Sequence, residues 1–147
     1  MNKSIKTHLT TQSVALALLM ATACMSASHA QTSSANPVIG TWSWTLFSGK
    51  CTETLQFRLD GALLSTSGEA VTESRYAISS TPDTQGFFKV DEIYTRYNAK
   101  KDCSGDVIDE IGVETTKYIQ INPAKDRLII CKTASFLACY GPLRRLP

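Results

Sequence analysis

The sequence predicts an all-β fold: an eight-stranded antiparallel up-and-down barrel, stapled by disulfides. Short runs rich in β-branched and aromatic residues alternate with turn residues from residue 38 onward, and no apolar run there has a helical period of useful length. Four of the five cysteines lie in this same part of the chain. A closed barrel is favoured because it removes the unpaired edges that an open sheet would expose.

The first two strands are predicted by strict alternation. Trp42, Trp44 and Leu46 alternate with hydroxyl-bearing residues, which places the indoles on one face of a strand over residues 41–46. A second alternating run covers residues 51–59. The Asp60-Gly61 pair that follows is the strongest hairpin signal in the chain, because a two-residue primed turn needs the positive φ that these residues tolerate.

Six further strands are predicted from short runs between Pro-, Gly- and Asn-containing separators. They cover residues 62–67, 73–79, 86–97, 114–121, 127–132 and 135–140. An immunoglobulin-like sandwich is the competing fold. It is disfavoured because both tryptophans precede the four cysteines, whereas true immunoglobulin domains have a tryptophan between two cysteines.

Residues 1–30 have the features of a secretory signal peptide. Lys3 and Lys6 give a positive start, residues 14–20 are an apolar run too short to span a bilayer, and Ser28-His29-Ala30 matches a small-x-small cleavage site. A buried N-terminal helix is disfavoured because these features follow the order that export requires. We therefore expect a periplasmic or secreted protein without a stable membrane span.

The predicted cleavage divides the remaining chain into two parts. Residues 31–37 are polar and aperiodic and are predicted to be a flexible leader, and residues 38–147 are predicted to form the barrel domain. Lipid attachment at Cys24 is an alternative form of export. It is disfavoured because the residue three places before Cys24 is Ala21, where a bulky aliphatic residue is expected.

Composition after cleavage excludes several classes of function. Lys3 and Lys6 are the only charges in residues 1–30, so the mature chain has equal numbers of basic and acidic residues and no electrostatic footprint for nucleic acid. Both histidines, His8 and His29, also lie in the removed segment, which leaves no Ser-His-Asp or Cys-His pair. We therefore expect no enzyme activity and no cofactor. We also expect no metal, because the acidic loop at 102–106 does not have the residue spacing of a calcium-binding EF-hand.

The cysteines of the mature chain are Cys51, Cys103, Cys131 and Cys139. An even number in an exported chain predicts two disulfides, and zinc is disfavoured because no paired C-x(2–4)-C spacing occurs. Three connectivities are open. Pairing of Cys131 with Cys139 across a hairpin turn, which leaves Cys51 with Cys103, is slightly favoured over the other two.

Two motifs resemble those of the lipocalins and the wider calycins. Gly40-Thr41-Trp42 opens the β-meander as their Gly-x-Trp motif does, and Gly-Pro-Leu-Arg-Arg at 141–145 is similar to their closing feature just after the last strand. The resemblance implies that Trp42 is the first-strand tryptophan and that Arg144 or Arg145 packs across it to close one end of the barrel. It also implies a role in carrying a ligand.

The interior is predicted either to be a packed core or to hold one small ligand. The ligand-lining candidates are Trp44, Phe57, Tyr76 and Tyr94. Glu53 shares the parity of Phe57, so it points inward near the rim, where it is a ligand anchor, the partner of a basic residue or a solvated rim charge.

The first functional hypothesis is an exported barrel that binds a small apolar or amphipathic ligand in the cell envelope. The alternative is a protein-interaction module with an envelope protein as partner, such as a periplasmic inhibitor of lysozyme-type enzymes. The short polar loop Ser67-Gly68-Glu69-Ala70 is the candidate for insertion into an enzyme cleft.

Overall fold

A computed structural model of the chain describes residues 35–147, which form a closed antiparallel barrel. Each strand pairs with the next along the chain, and the last strand returns to the first. The strands are β1 (Gly40–Thr45), β2 (Thr52–Phe57), β3 (Ala62–Ser67), β4 (Ala70–Ile78), β5 (Phe87–Tyr97), β6 (Glu114–Ile121), β7 (Arg127–Cys131) and β8 (Cys139–Arg145). The predicted all-β, eight-stranded barrel is confirmed.

The predicted signal peptide, the alternative lipid site at Cys24 and most of the predicted leader lie outside the described residues. Within residues 35–147, no helix has the length and apolar character needed to cross a membrane.

All eight strands overlap their predicted positions, but β8 shares only Cys139 and Tyr140 with the strand predicted over 135–140, so the prediction for the rest of that strand was wrong. Residues 132–138 form the connection, with Phe136 and Leu137 largely exposed, and β8 begins only at Cys139. The Gly141-Pro142 pair was interpreted as the end of a strand but lies inside β8, next to a register shift in the pairing with β7. A strand tolerates proline at such an irregularity because a ladder bond is already missing there.

Alternation of side chains builds the core as predicted. The fully buried apolar residues come from successive strands and include Trp42, Phe57, Leu63, Val90, Ile119, Leu128 and Leu143. They fill the end of the barrel that holds the β2–β3, β4–β5 and β6–β7 connections, which we call the closed end. The other end, with the remaining connections, is the open end.

Arg145 closes this apolar end. Its guanidinium carbon lies 4.0 Å from the centre of the Trp42 ring. Nη1 donates to the carbonyl of Ile39 at 2.8 Å, Nη2 donates to the carbonyl of Pro37, and Nε donates to the carbonyl of Lys125 at 2.8 Å. One cation therefore joins the start of β1 to the β6–β7 connection while it covers the indole.

Gly40 is required by this arrangement. It has a φ of +132°, which L side chains rarely adopt, and a Cβ atom there would lie 2.5 Å from Arg145 Nη1. Arg144 points to the other side of the strand and is exposed. The resemblance did not decide whether Arg144 or Arg145 packs across Trp42. Strand parity decides it, and Arg145 is the arginine over Trp42.

Two disulfides join the four cysteines. Cys131 bonds Cys139 with a Cα–Cα distance of 4.0 Å, and Cys51 bonds Cys103 with a Cα–Cα distance of 5.7 Å. This is the connectivity slightly favoured from the sequence. Two disulfides in a chain of this size indicate an oxidising, extracytoplasmic environment.

Replacement of Arg145 by Met is expected to lower the free energy of unfolding by about 2–4 kcal/mol, because it removes the cation over Trp42 and leaves partly buried carbonyls without a donor. Arg144→Met is the matched control on the exposed face and should change it little. Urea denaturation followed by tryptophan fluorescence measures both. Equal losses in the two variants would contradict the role of Arg145.

Candidate functional site

An interior cavity of about 200 Å³ lies at the open end of the barrel. The polar wall residues that come from β2 to β6 are Glu53, Ser65, Thr66, Ser67, Thr72, Glu92, Tyr94 and Lys117. Tyr140 of β8 completes the wall. The interior therefore changes from apolar packing at the closed end to carboxylates, hydroxyls and one ammonium at the open end.

Small side chains create this space. Ser65 and Ser67 on β3, and Ala70 and Thr72 on β4, face the interior where large apolar residues would fill an eight-stranded barrel. Ala70 and Thr72 are themselves buried, so this part of the cavity wall lies within the fold.

The floor of the cavity holds an ion pair between Glu92 and Lys117. The Glu92 side chain is 1% exposed and that of Lys117 is 18% exposed, and Glu92 Oε2 lies in contact with Lys117 Nζ. Both residues point inward because they share strand parity with Val90 and Ile119. A carboxylate with so little exposure requires a positive partner, since an unpaired charge is costly to bury.

Glu53 is held differently, by a hydroxyl. Ser67 Oγ donates to Glu53 Oε1 at 2.9 Å, and the backbone N–H of Cys103 donates to Ser67 Oγ at 3.0 Å. Among the residues that the structure describes, no basic side chain pairs with Glu53. The negative charge of Glu53 therefore stands in the cavity wall with one neutral hydrogen-bond donor.

Tyr140 and Tyr94 bring hydroxyl groups to the same wall. Burial raises the pKa of Tyr140 strongly, and the negative charges of Glu53 and Glu92 raise it further. Burial, followed by the charge of Glu92, also raises the pKa of Tyr94. Both phenols are therefore neutral hydrogen-bond donors at neutral pH. Both phenols lie close enough to the carboxylates of the wall to be affected by their charge.

Residues 98–113, which we call the covering loop, lie over the cavity, with Asp102 and Ile108 contributing to its wall. The Cys51–Cys103 disulfide attaches the loop to the end of the β1–β2 connection. Asn98 accepts from Val71 N–H at 3.0 Å and donates to the Glu69 carbonyl at 2.9 Å. The loop is therefore held on two sides of the open end.

The sequence-predicted site residues lie in three places. Glu53 and Tyr94 line the cavity. Phe57 and Tyr76 pack edge to face at 5.2 Å between ring centres, and both belong to the apolar cluster at the closed end. Trp44 packs against the same cluster and lies 5.6 Å from the ring of Tyr140, which is a wall residue of the cavity. The expected apolar aromatic lining is thus replaced by a largely polar one.

Among the cavity residues missed from the sequence, three carry a charge or a phenol inside the barrel: Glu92, Lys117 and Tyr140. Strand parity alone indicates that Glu92 points inward and its neighbour Asp91 outward, and Asp91 indeed bonds Lys89 on the outer face. Lys117 could have been found by the same parity within β6. Tyr140 could not, because the register shift between Tyr140 and Leu143 breaks the alternation of β8.

Comparison with known proteins adds no relative: no protein-family model, no curated protein and no solved structure matches the chain. The closed eight-stranded antiparallel barrel is consistent with a calycin-like fold. What the cavity can do follows from its side chains: they offer hydrogen bonds and negative charge to a small polar group.

Lys117→Met is expected to lower the free energy of unfolding by about 3–5 kcal/mol at neutral pH, because it leaves the Glu92 carboxylate buried without a positive partner. Lys89→Met is the matched control: Lys89 pairs with Asp91 at 2.8 Å on the outer face, where solvent screens the pair, so its loss should be much smaller. Urea denaturation measures both. Similar losses would contradict a buried role for the Glu92–Lys117 pair.

Proposed function

We propose that this domain is a non-enzymatic binding barrel, periplasmic or secreted and related to the lipocalins, that takes a small amphipathic molecule into the cavity beneath the covering loop. The observation that carries the proposal is the cavity itself. It is a space of about 200 Å³ inside the barrel, bounded by Glu53, Glu92 and Tyr94. Binding sites are typically concave spaces with a few convergent polar groups.

The buried ion pair supports a binding role over a purely structural one. Well-packed apolar residues in place of Glu92 and Lys117 would stabilise the barrel as well or better, since a buried ion pair contributes little net stability. Charge at this position is therefore better explained by a ligand that it orients. The small residues Ser65 and Thr72 opposite the pair have the same explanation, because they keep open a space that larger side chains would fill.

The size and polarity of the cavity narrow the ligand. Sites for drug-sized molecules are roughly 300–1,000 Å³, so a space of about 200 Å³ suits a compact molecule and not a long acyl chain. The apolar part of the ligand can contact Leu55 and Ile108, while its polar part meets Glu53 and the tyrosine hydroxyls. An amphipathic ligand is therefore favoured over a purely apolar one.

Short-chain alcohols, amides and amines are the probes for this proposal, with the fluorescence of Trp44, the neighbour of the wall residue Tyr140, as the readout. At least one class should give a saturable shift. Ser65→Phe, which fills the cavity, should abolish it. Gln56→Phe, which adds the same ring on the outer face of β2, should leave it unchanged. No saturable shift with any probe would overturn the proposal.

A second candidate function, protein interaction at the open end, is favoured by Phe47. This side chain is fully exposed in the β1–β2 connection, and with Trp44, Leu46 and Tyr140 it borders a shallow apolar groove. Exposed apolar patches of this kind often mark interaction sites.

The turn at Gly68 lies beside the same end of the barrel. Gly68 packs closely against Cys51, because a Cβ atom added at Gly68 would lie 3.2 Å from Cys51 Sγ, so Glu69 projects from a closely packed turn.

Inhibition of lysozyme-catalysed cell-wall hydrolysis tests this second function. The chain should inhibit at a one-to-one ratio, and Phe47→Ser should weaken inhibition at least tenfold by removing apolar contact area. Leu59→Ser is the control, because Leu59 is also largely exposed but lies at the closed end. Absence of inhibition, or an equal effect of the two variants, would contradict a lysozyme-type partner.

A further inference from the structure

We propose that the ligand of the cavity is a compact organic cation, an alkylammonium ion that binds between Glu53 and the aromatic rings near it. This inference rests on the proposed function and specifies its ligand class. It comes from the balance of charge, the placement of the aromatic rings and the dimensions of the cavity.

The cavity wall carries more carboxylates than basic groups. Glu53, Glu92 and Asp102 contribute carboxylates, whereas Lys117 contributes the one ammonium among the described wall residues. Lys117 is committed to Glu92. Asp102 accepts backbone N–H groups of the covering loop, Ser104 at 2.8 Å and Asp106 at 2.9 Å.

The hydrogen-bonding capacity of the wall is also underused. Glu53 receives one hydrogen bond, from Ser67. Glu92 Oε2 is buried, and its partner within residues 35–147 is the Lys117 ammonium. These carboxylates would repel an anionic ligand, whereas a cation with N–H donors would bond to the Glu53 oxygens.

Aromatic rings stand beside the unpaired carboxylate. Trp44 is the direct cross-strand partner of Glu53, with both side chains on the interior side of the β1–β2 pair. The ring of Tyr140 lies 5.6 Å from that of Trp44, and the hydroxyl of Tyr94 shares the wall with both carboxylates. A carboxylate with aromatic rings close by is a favourable environment for an ammonium ion, because the ring quadrupole attracts cations.

Cavity size limits the cation to a compact one. A space of about 200 Å³ accepts an ammonium group with a short alkyl chain, and its apolar wall residues, Leu55 and Ile108, suit that chain. Metal cations are disfavoured, because no group of three or more His, Cys, Asp or Glu side chains within residues 35–147 is arranged to hold one. Organic ammonium is therefore the class that matches charge, rings and volume together.

Calorimetric titration of the full chain with propylammonium, propanol and propionate tests this inference, since the three probes are matched in size and differ in charge. Propylammonium should bind at least tenfold more tightly than propanol, and propionate should show no saturable binding. Glu53→Gln should weaken propylammonium binding about tenfold and leave propanol binding unchanged. Glu69→Gln, at the exposed rim of the same end, should change neither.

Tyr140→Leu provides a second variant that keeps every carboxylate and removes one ring, and it should weaken binding of propylammonium and of tetramethylammonium. The two proposals can fail separately. If propanol binds as tightly as propylammonium and Glu53→Gln has no effect, the cation inference is overturned while the binding function stands. If none of the probes binds to the wild-type chain, both proposals are overturned.

Discussion

Closure of the barrel depends on Arg145. Within the described residues, β1 and β8 pair through two residue positions, Trp42 with Arg145 and Ser43 with Arg144, whereas every other pair of neighbouring strands has at least four. The guanidinium compensates for this short seam by bonding carbonyls at both sides of it and stacking on Trp42. Without a closed seam the strands would have free edges and no enclosed interior, so the core and the cavity both follow from this contact.

The interior is filled at the closed end of the barrel and contains space at the open end. At the closed end, large side chains such as Phe57 and Leu63 fill the interior and contribute the apolar burial that stabilises the fold. At the open end, small residues on β3 and β4 leave space, and charged residues on β5 and β6 occupy its floor. The Cys51–Cys103 disulfide holds the covering loop above that space. The closed end of the interior therefore stabilises the fold, and the open end contains the cavity.

Local signals were sufficient for most of the fold. Alternation placed seven strands and the inward direction of Glu53, and Asp60-Gly61 marked a hairpin between β2 and β3. Local signals failed at β8, because Gly141-Pro142 has the composition of a turn but forms an irregularity within a strand that the neighbouring β7 supports. They also failed for Phe57 and Tyr76, whose inward direction places them in the packed layer instead of the cavity.

The sequence by itself determined the parity of each regularly alternating strand, since successive side chains there point to opposite faces, and it determined the number of strands and the cysteines available for bonding. The tertiary structure alone decided which inward residues meet: Glu92 with Lys117, Trp44 with Tyr140, and Arg145 rather than Arg144 with Trp42. These contacts depend on the register between strands and on their stagger around the barrel. Register and stagger are properties of the closed sheet as a whole, and no single segment of the chain contains them.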